Sequence, residues 1–275
     1  MLIGTLFLKF YTQKMNISLT GMNAVICGST QGIGLAVAKE LSVLGARSFL
    51  LARNENMLQE ALSQLSVHVQ QQHEYRVADF SDNNAVNTAI KSIVRDHKIH
   101  ILINNTGGPA AGAVTAATAN DFEDAFRQHL VNNQLLAQAV LPGMKEEGYG
   151  RIINIISTSV KIPIQNLGVS NTIRAAVAAW AKTLSNEVGQ FNITVNNVLP
   201  GSTRTGRLDS LIAEMAEKKQ SGIATIEKEM EEKIPMKRFG LPEEIANLAA
   251  FLASPAASYI NGASIPVDGG RTGSI

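Results

Sequence analysis

A glycine-rich turn sits where an apolar strand hands over to a helix, and no other segment constrains the fold of this chain as strongly. Gly28-Ser29-Thr30-Gln31-Gly32-Ile33-Gly34 follows Ala24-Val25-Ile26-Cys27 and opens an Ala/Leu/Val-patterned stretch that runs from Gly32 to Leu44. Glycine permits a sharp turn and leaves no side chain between the backbone and an approaching pyrophosphate. The helix start then offers free N–H groups and a positive dipole end to that anion. The spacing is Gly-x-x-x-Gly-x-Gly, not the commoner Gly-x-Gly-x-x-Gly. Its place between a strand and a helix makes it a dinucleotide-binding turn rather than a bare structural one.

The pattern that follows is an alternation. Ser48–Ala52, Tyr75–Ala78, His100–Asn104, Arg151–Ile156, Ile193–Val198 and Ala263–Val267 read as short buried strands. Glu55–Gln72, Asn84–Asp96, Phe122–Lys145, Asn166–Val188 and Leu241–Leu252 read as helices, the last opened by Pro242 in its first turn. Strands alternating with helices predict an α/β fold: a Rossmann-like, doubly wound parallel sheet of about seven strands, with helices on both faces. The chain is 275 residues long with 45% hydrophobic residues, which suits one large domain. No repeat or low-complexity linker divides it. The domain is read as 15–275, with Met15 opening it. Residues 1–14, apolar and then polar, lack the basic start and cleavage site of a signal peptide. They are read as a non-native or disordered extension.

Charge and cysteine content narrow the partners. A formal charge of +1 gives no long-range attraction for nucleic acid or an acidic membrane. No apolar run reaches the ~18 residues of a membrane span. The single cysteine, Cys27, excludes an internal disulfide and a cysteine-based metal site, and fits a reducing cytoplasm. No metal is expected.

Two further segments bear on ligands. The second strand ends in Ala52-Arg53-Asn54, where an NAD site usually carries an acid for the ribose 2′-hydroxyl. A cation there suits a 2′-phosphate, so the cofactor is read as NADP(H). Between Gly201 and Ile234 lies a charged insert rich in Glu, Lys and Met. It follows a strand's carboxyl end, where ligands bind in open α/β sheets, so residues about 202–234 are read as a helical substrate lid. Arg204 and Arg207 at its root are candidate substrate contacts.

Asn104-Asn105-Thr106-Gly107, Asn154-Ile155-Ile156-Ser157, Pro200-Gly201 and Val267-Asp268-Gly269-Gly270 complete an ordered set with the glycine turn. With these the chain resembles the short-chain dehydrogenase/reductases, near the 3-oxoacyl-carrier-protein reductases, from about Met15 to Gly270. The resemblance implies that Gly28, Ser29, Gln31, Gly32, Ile33 and Gly34 wrap the pyrophosphate. Asp79 and Phe80 would meet the adenine, and Asn105 and Gly107 the adenosine ribose. Thr203 and Thr205 would hold the nicotinamide carboxamide, and Ser157 would orient substrate. It also implies a homotetramer built through the long helices and the last strand.

The same resemblance exposes a departure. The family carries Tyr-x-x-x-Lys thirteen residues beyond the serine. From Ser157 that count reaches Ser170, with Arg174 four further on. Gly168-Val169 and Ala175-Ala176-Val177 hold the register. The family's additional asparagine aligns with His129. Tyr11, Tyr75, Tyr149 and Tyr259 occupy no position that replaces the missing phenol. Serine is a far poorer acid than a phenol of pKa ~10, and losing a general acid typically costs ~10²–10⁴-fold in rate.

Arg174 could bond the cofactor ribose, as the lysine would, or fork onto a substrate carboxylate or enolate oxygen. His129 is the neutral-pH acid candidate. Ser157, Ser170, Arg174 and His129 are thus the candidate catalytic set. The expected activity is NADPH-dependent hydride transfer to an activated carbonyl or conjugated alkene, carboxylate-bearing in one version, without tyrosine. Two alternatives stay open: an inactive NADP-binding sensor or partner subunit, and a 3-oxoacyl reductase with a displaced donor.

Overall fold

The computed structural model describes residues 15–274. The reading of residues 1–14 as an extension, and Tyr11 with it, lies outside the described residues. Seven strands form one sheet, ordered β3-β2-β1-β4-β5-β6-β7 and parallel throughout. They are β1 (Asn23–Cys27), β2 (Arg47–Ala52), β3 (Glu74–Val77), β4 (Ile101–Asn104), β5 (Gly150–Ile155), β6 (Ile193–Pro200) and β7 (Ser264–Val267). The helices are α1 (Gly32–Val43), α2 (Glu55–Ser63), α3 (Asn83–Val94), α4 (Ala119–Phe126), α5 (Asn132–Glu147), α6 (Gly168–Val188), α7 (Gly206–Lys219), α8 (Ile223–Glu232) and α9 (Pro242–Ala253). The doubly wound sheet expected from the alternation is the sheet observed.

Period-two alternation assigns each strand residue to a layer. Ala24 and Ile26 of β1 face the layer of α1 and α9, with Leu50, Ile103 and Ile155 beside them. Val25 and Cys27 face α3, α5 and α6, with Phe49, Leu51 and Leu102. Each buried aliphatic side chain contributes roughly 1.5–3 kcal/mol. Strand order reverses between β1 and β4, so the loops at their carboxyl ends part and leave a crevice for a ligand.

Buried strands also carry a polar thread. Asn104, Asn154, Asn197 and Ser264 are register partners on β4, β5, β6 and β7. Their side chains bond in series: Asn104 Nδ2 donates to Asn154 Oδ1 at 2.8 Å, Asn154 Nδ2 to Asn197 Oδ1 at 2.9 Å, and Asn197 Nδ2 to Ser264 Oγ at 3.0 Å. These three bonds spare the linked groups the ~1–3 kcal/mol cost of an unpaired buried group, while Asn104 Oδ1, at the β4 end of the thread, has no partner among the described residues.

Two helices differ from expectation. The helix predicted to reach Gln72 stops at Ser63. Beyond it, side chains claim the backbone: Gln71 Nε2 donates to Ser42 O at 2.7 Å, and His73 Nδ1 accepts from the Ser48 amide at 3.0 Å. Gln70 adopts φ 62°, which no α-helix contains. The long helix predicted over Phe122–Lys145 begins at Ala119 and contains a π-turn, Arg127–Val131, between α4 and α5. The charged insert forms α7 and α8. It has a small core of its own, with Leu208, Ile212, Ile226 and Phe239 buried together.

Candidate active site

The turn after β1 is shaped by contacts that only glycine allows. Gly28 and Gly32 have φ of 58° and 55°. A Cβ on Gly34 would lie 2.1 Å from the Gly28 carbonyl oxygen, and one on Gly28 would lie 2.5 Å from the Asn105 carbonyl oxygen. Asn105 Nδ2 donates to the carbonyls of Cys27 and Gly28 at 3.2 and 3.1 Å, so the β4 loop braces the β1 loop. Helix α1 starts at Gly32; Gln31 before it provides no side-chain cap, and the first turn holds no acid. Ser29 is fully buried and its Oγ has no partner among the described residues. Uncapped amides, an unpartnered hydroxyl and a surface free of side chains fit a dinucleotide pyrophosphate.

The second ligand-facing region is a hollow of about 630 Å³ lined by Arg53, Asn54, Glu55, Asn56, Val77 and Asp79. Asp79 Oδ1 accepts from the Ser81 amide and hydroxyl, both at 2.9 Å. Those bonds, and then the Arg53 charge, hold its carboxyl below the usual range. Arg53 therefore sits just past the end of β2, with the ionised Asp79 across the same hollow. Phe80 packs against the layer of α3 and α5, and its carbonyl accepts from Asn132 Nδ2 at 2.7 Å. Gly107 leaves open space around its Cα.

Across the switch point, β5 and α6 bring the candidate catalytic residues together. Ser157 caps the short turn Thr158–Val160, its Oγ accepting from the Ser159 amide at 3.1 Å. Ser170 and Arg174 lie one turn apart on α6, 7% and 8% exposed. Arg174 donates Nη1 to the Ile155 carbonyl at 3.1 Å and Nη2 to the Thr106 carbonyl at 3.5 Å. Burial, with the neighbouring Arg207 charge, pushes its guanidinium down to about 10, so it stays cationic at neutral pH.

His129 lies inside the π-turn, where an extra residue per turn re-aims side chains. It is 2% exposed. Its Nδ1 is 2.6 Å from Thr106 Oγ1, and its Nε2 has no partner among the described residues. Burial first, then the charges of Arg174 and Arg207, push its pKa down to about 3. These surroundings favour the neutral imidazole, which suits a packing or water-bonded His129 better than an imidazolium donor at neutral pH. Thr106, which the sequence reading assigned no role, joins His129 to Arg174 through its hydroxyl and its carbonyl. Its neighbour status to Asn105 in the β4 loop was the only signal available.

At the root of the insert, Thr203 is buried and its Oγ1 donates to the Gly201 carbonyl at 3.2 Å. Thr205 Cγ2 lies 3.2 Å from where a Cβ on Gly32 would sit, so the insert root touches the glycine turn. The two arginines grouped by sequence part company here. Arg204 pairs with Glu227, lies 3.8 Å from Asp209 and stacks 4.7 Å from the Phe239 ring centre. Its charge is spent within the insert. Arg207 reaches back to the β4 loop, donating to the carbonyls of Gly108 at 2.7 Å and Pro109 at 2.8 Å. The described tyrosines stay away from α6: Tyr75 bonds Glu55, Tyr149 bonds the Ala253 carbonyl, and Tyr259 is fully exposed.

A doubly wound sheet with a pyrophosphate turn at its switch point defines a dinucleotide-dependent oxidoreductase class, and comparison with known proteins places the chain within it. Residues 28–272 match a family described as enoyl-(acyl carrier protein) reductase. The chain belongs to the short-chain dehydrogenase/reductase family of NAD(P)-dependent oxidoreductases. It is 34% identical over 256 residues to a 3-oxoacyl-[acyl-carrier-protein] reductase of Rickettsia conorii, covering 92% of this chain and 98% of the relative. A tropinone reductase homolog of Arabidopsis thaliana is 34% identical over 261 residues, covering 94% and 92%. Among solved structures, the L-sorbose reductase of Gluconobacter frateurii, complexed with NADPH and L-sorbose, superposes with a TM-score of 0.89 at 31% identity, covering 95% of this chain and 100% of that one. YwfH, an NADPH-dependent reductase involved in bacilysin biosynthesis, gives 0.87 at 32% identity, covering 92% and 99%. No described helix is long and apolar enough to cross a membrane.

Proposed function

We propose that this protein is an NADPH-dependent reductase of an activated carbonyl or conjugated alkene that works without the family's tyrosine. The cofactor is NADP(H), held at its pyrophosphate by the glycine turn and Ser29, and at its 2′-phosphate by Arg53. Bound there, it supplies a hydride. Everything else falls to the chain. Thr203 and Thr205 orient the nicotinamide end, and Ser157 offers a hydroxyl to the substrate oxygen. Arg174 supplies a fixed positive charge where an oxyanion develops, a buried position in which charge counts for more than in water. Ser170 leaves room for a water beside it. Neutral His129 holds that water or passes its proton through Thr106.

The observation that carries this reading is Arg174: buried, cationic and anchored between the β4 loop and the end of β5. An electron-poor substrate tolerates a weak acid, because charge stabilisation replaces much of the early proton transfer. α7 and α8 act as the substrate lid over residues 202–234. The homotetramer built through α4–α6 and β7, and a cytoplasmic setting, belong to the same proposal. The test is NADPH oxidation across a panel of oxo acids and enones from pH 5 to 9. Turnover that Arg174→Ala abolishes, with NADPH still bound, supports the reading. Tight NADPH binding with no turnover on any substrate overturns it in favour of a cofactor-binding, non-catalytic protein.

A further inference from the structure

The cationic side of this site has no carboxylate at ion-pair distance among the described residues; the charge of Glu214 reaches Arg207 only from farther off. Arg47, Arg76, Arg95, Arg204 and Arg238 each face a carboxylate at ion-pair distance. Arg174 and Arg207 form no such pair among the described residues, and each bonds only backbone carbonyls. They are close enough that the charge of Arg207 depresses both Arg174 and His129. Holding a buried cation beside a second, exposed one costs free energy that a bound anion would offset.

Two of the five guanidinium N–H groups of each arginine are used by carbonyls, which leaves three on each side. His129 Nε2 adds a buried polar atom without a partner. The cofactor's phosphates do not account for this charge, since the α1 amides, Ser29 and Arg53 already serve them. Arg207 stands exposed at the start of α7, and among the described residues its side chain is hydrogen-bonded to the β4 loop by two carbonyls alone.

We propose that Arg174 and Arg207 form a carboxylate-binding site at the β4 loop, with His129 Nε2 as its third polar contact, so that the substrate is an oxo acid or unsaturated oxo acid. This rests on the reductase reading and narrows its substrate class. A planar carboxylate matches the guanidinium fork in a way a point cation does not demand. The lid arginine then exchanges its carbonyl bonds for the substrate, which ties closure of α7 to the presence of the anion.

The test is calorimetric titration of the NADP⁺-loaded protein with oxamate and with oxamide, its uncharged counterpart. We expect oxamate to bind at least ~10-fold more tightly, the tenfold that separates a formed charge-assisted pair from none. Arg207→Gln should weaken oxamate ~10–100-fold, with NADP⁺ affinity changed less than about twofold. Arg207→Lys should fall between, keeping charge and losing the fork. Because Arg207 is exposed, these variants report on the site without emptying a core position. Equal binding of oxamate and oxamide, no binding of oxamate, or oxamate binding unchanged in Arg207→Gln overturns the proposal. Inorganic phosphate binding as tightly as oxamate overturns it too, by assigning the charge to a phosphate ligand. Oxamate binding without NADPH turnover would sink the reductase reading alone, whereas brisk reduction of neutral ketones with no oxamate binding would sink only the carboxylate site.

Discussion

The glycine turn after β1 and the polar face of α6 meet the same crevice, yet opposite physics shapes them. The turn is fixed by exclusion: a methyl group on Gly34 would stand 2.1 Å from a carbonyl oxygen. The α6 face is fixed by charge: Arg174 is held by carbonyls at 3.1 and 3.5 Å and pairs with no acid among the described residues. Steric rules tolerate almost no substitution, so the turn keeps its residue types. Electrostatic rules ask for a sign and a direction, and on the proposed mechanism Ser170 and Arg174 meet them where the family resemblance implies a tyrosine–lysine pair.

The sharpest way to break this contrast is Gly34→Ala. Its Cβ meets the Gly28 carbonyl on one side and the bracing Asn105 side-chain amide on the other, so we expect NADPH affinity to fall by ~10³-fold or more, since relief of the Gly28 contact requires main-chain movement. Fluorescence titration would show it, with circular dichroism reporting whether the fold survives. Loss of less than about tenfold would mean that the turn is not sterically governed. The corresponding change on the other side is Ser170→Tyr with Arg174→Lys. Restoring a phenol and an ammonium should raise reduction of a neutral ketone by ~10²-fold, while an oxo acid should gain little. A double variant without ketone activity would show that the α6 face differs by more than its proton donor.

A weaker effect belongs to Arg53. Arg53→Ala should lower the preference for NADPH over NADH by ~10–30-fold, as expected for one charge-assisted phosphate contact. A preference that does not move would detach the hollow beside Asp79 from the 2′-phosphate.

His129 gives a pH signature. Its folded pKa, pushed down to about 3, lies below the ordinary value of 6.5. Between those limits the unfolded chain takes up a proton that the native state refuses. The resulting contribution to stability is complete above pH 6.5 and is lost as pH falls toward 3. The slope is about 1.4 kcal/mol per pH unit for one proton. His129→Asn should remove that one-proton slope from an acid-denaturation series, and an unchanged slope would mean that His129 titrates normally.

The smallest effect should come from Glu244, whose carboxylate accepts from the Leu241 amide at 2.8 Å and pairs with Arg238. These contacts hold its pKa at about 2. The pair is largely solvated, so Glu244→Ala should cost less than ~1 kcal/mol in thermal unfolding, and only above the acid range where the carboxylate is ionised.

Much of the fold was open to reading because most of the strands are short, apolar and separated by helical periods, β3 with its Glu74 and Arg76 being the exception. Val25 and Ile26 fall on opposite layers, as alternation demands. Where side chains bonded backbone across long sequence distances, the reading failed. Nothing local to Glu55–Gln72 announces that Gln71 will reach Ser42, and propensity alone extends that helix. The asparagine thread from Asn104 to Ser264 was equally hidden, since its members sit on four separate strands. At the site, the cradle residues were recognisable from glycine spacing. Arg204 and Arg207 were not separable, because only the folded insert shows that Glu227 takes one and leaves the other facing the β4 loop. The setting of His129 was hidden for a similar reason: its burial, and the two cations brought beside it from α6 and α7, arise only in the fold.

The π-turn at Arg127–Val131 has an effect that reaches beyond His129. An α-helix advances about 100° per residue, so the surplus residue acts as a phase shift between α4 and α5. It lets Ala125 and Phe122 lie against Val169 and Ile173 of α6, while Leu136 and Val140 still meet the sheet. A chain shortened by one residue here would have to choose which of those two apolar seams to keep, and in either case the imidazole would swing out of the crevice.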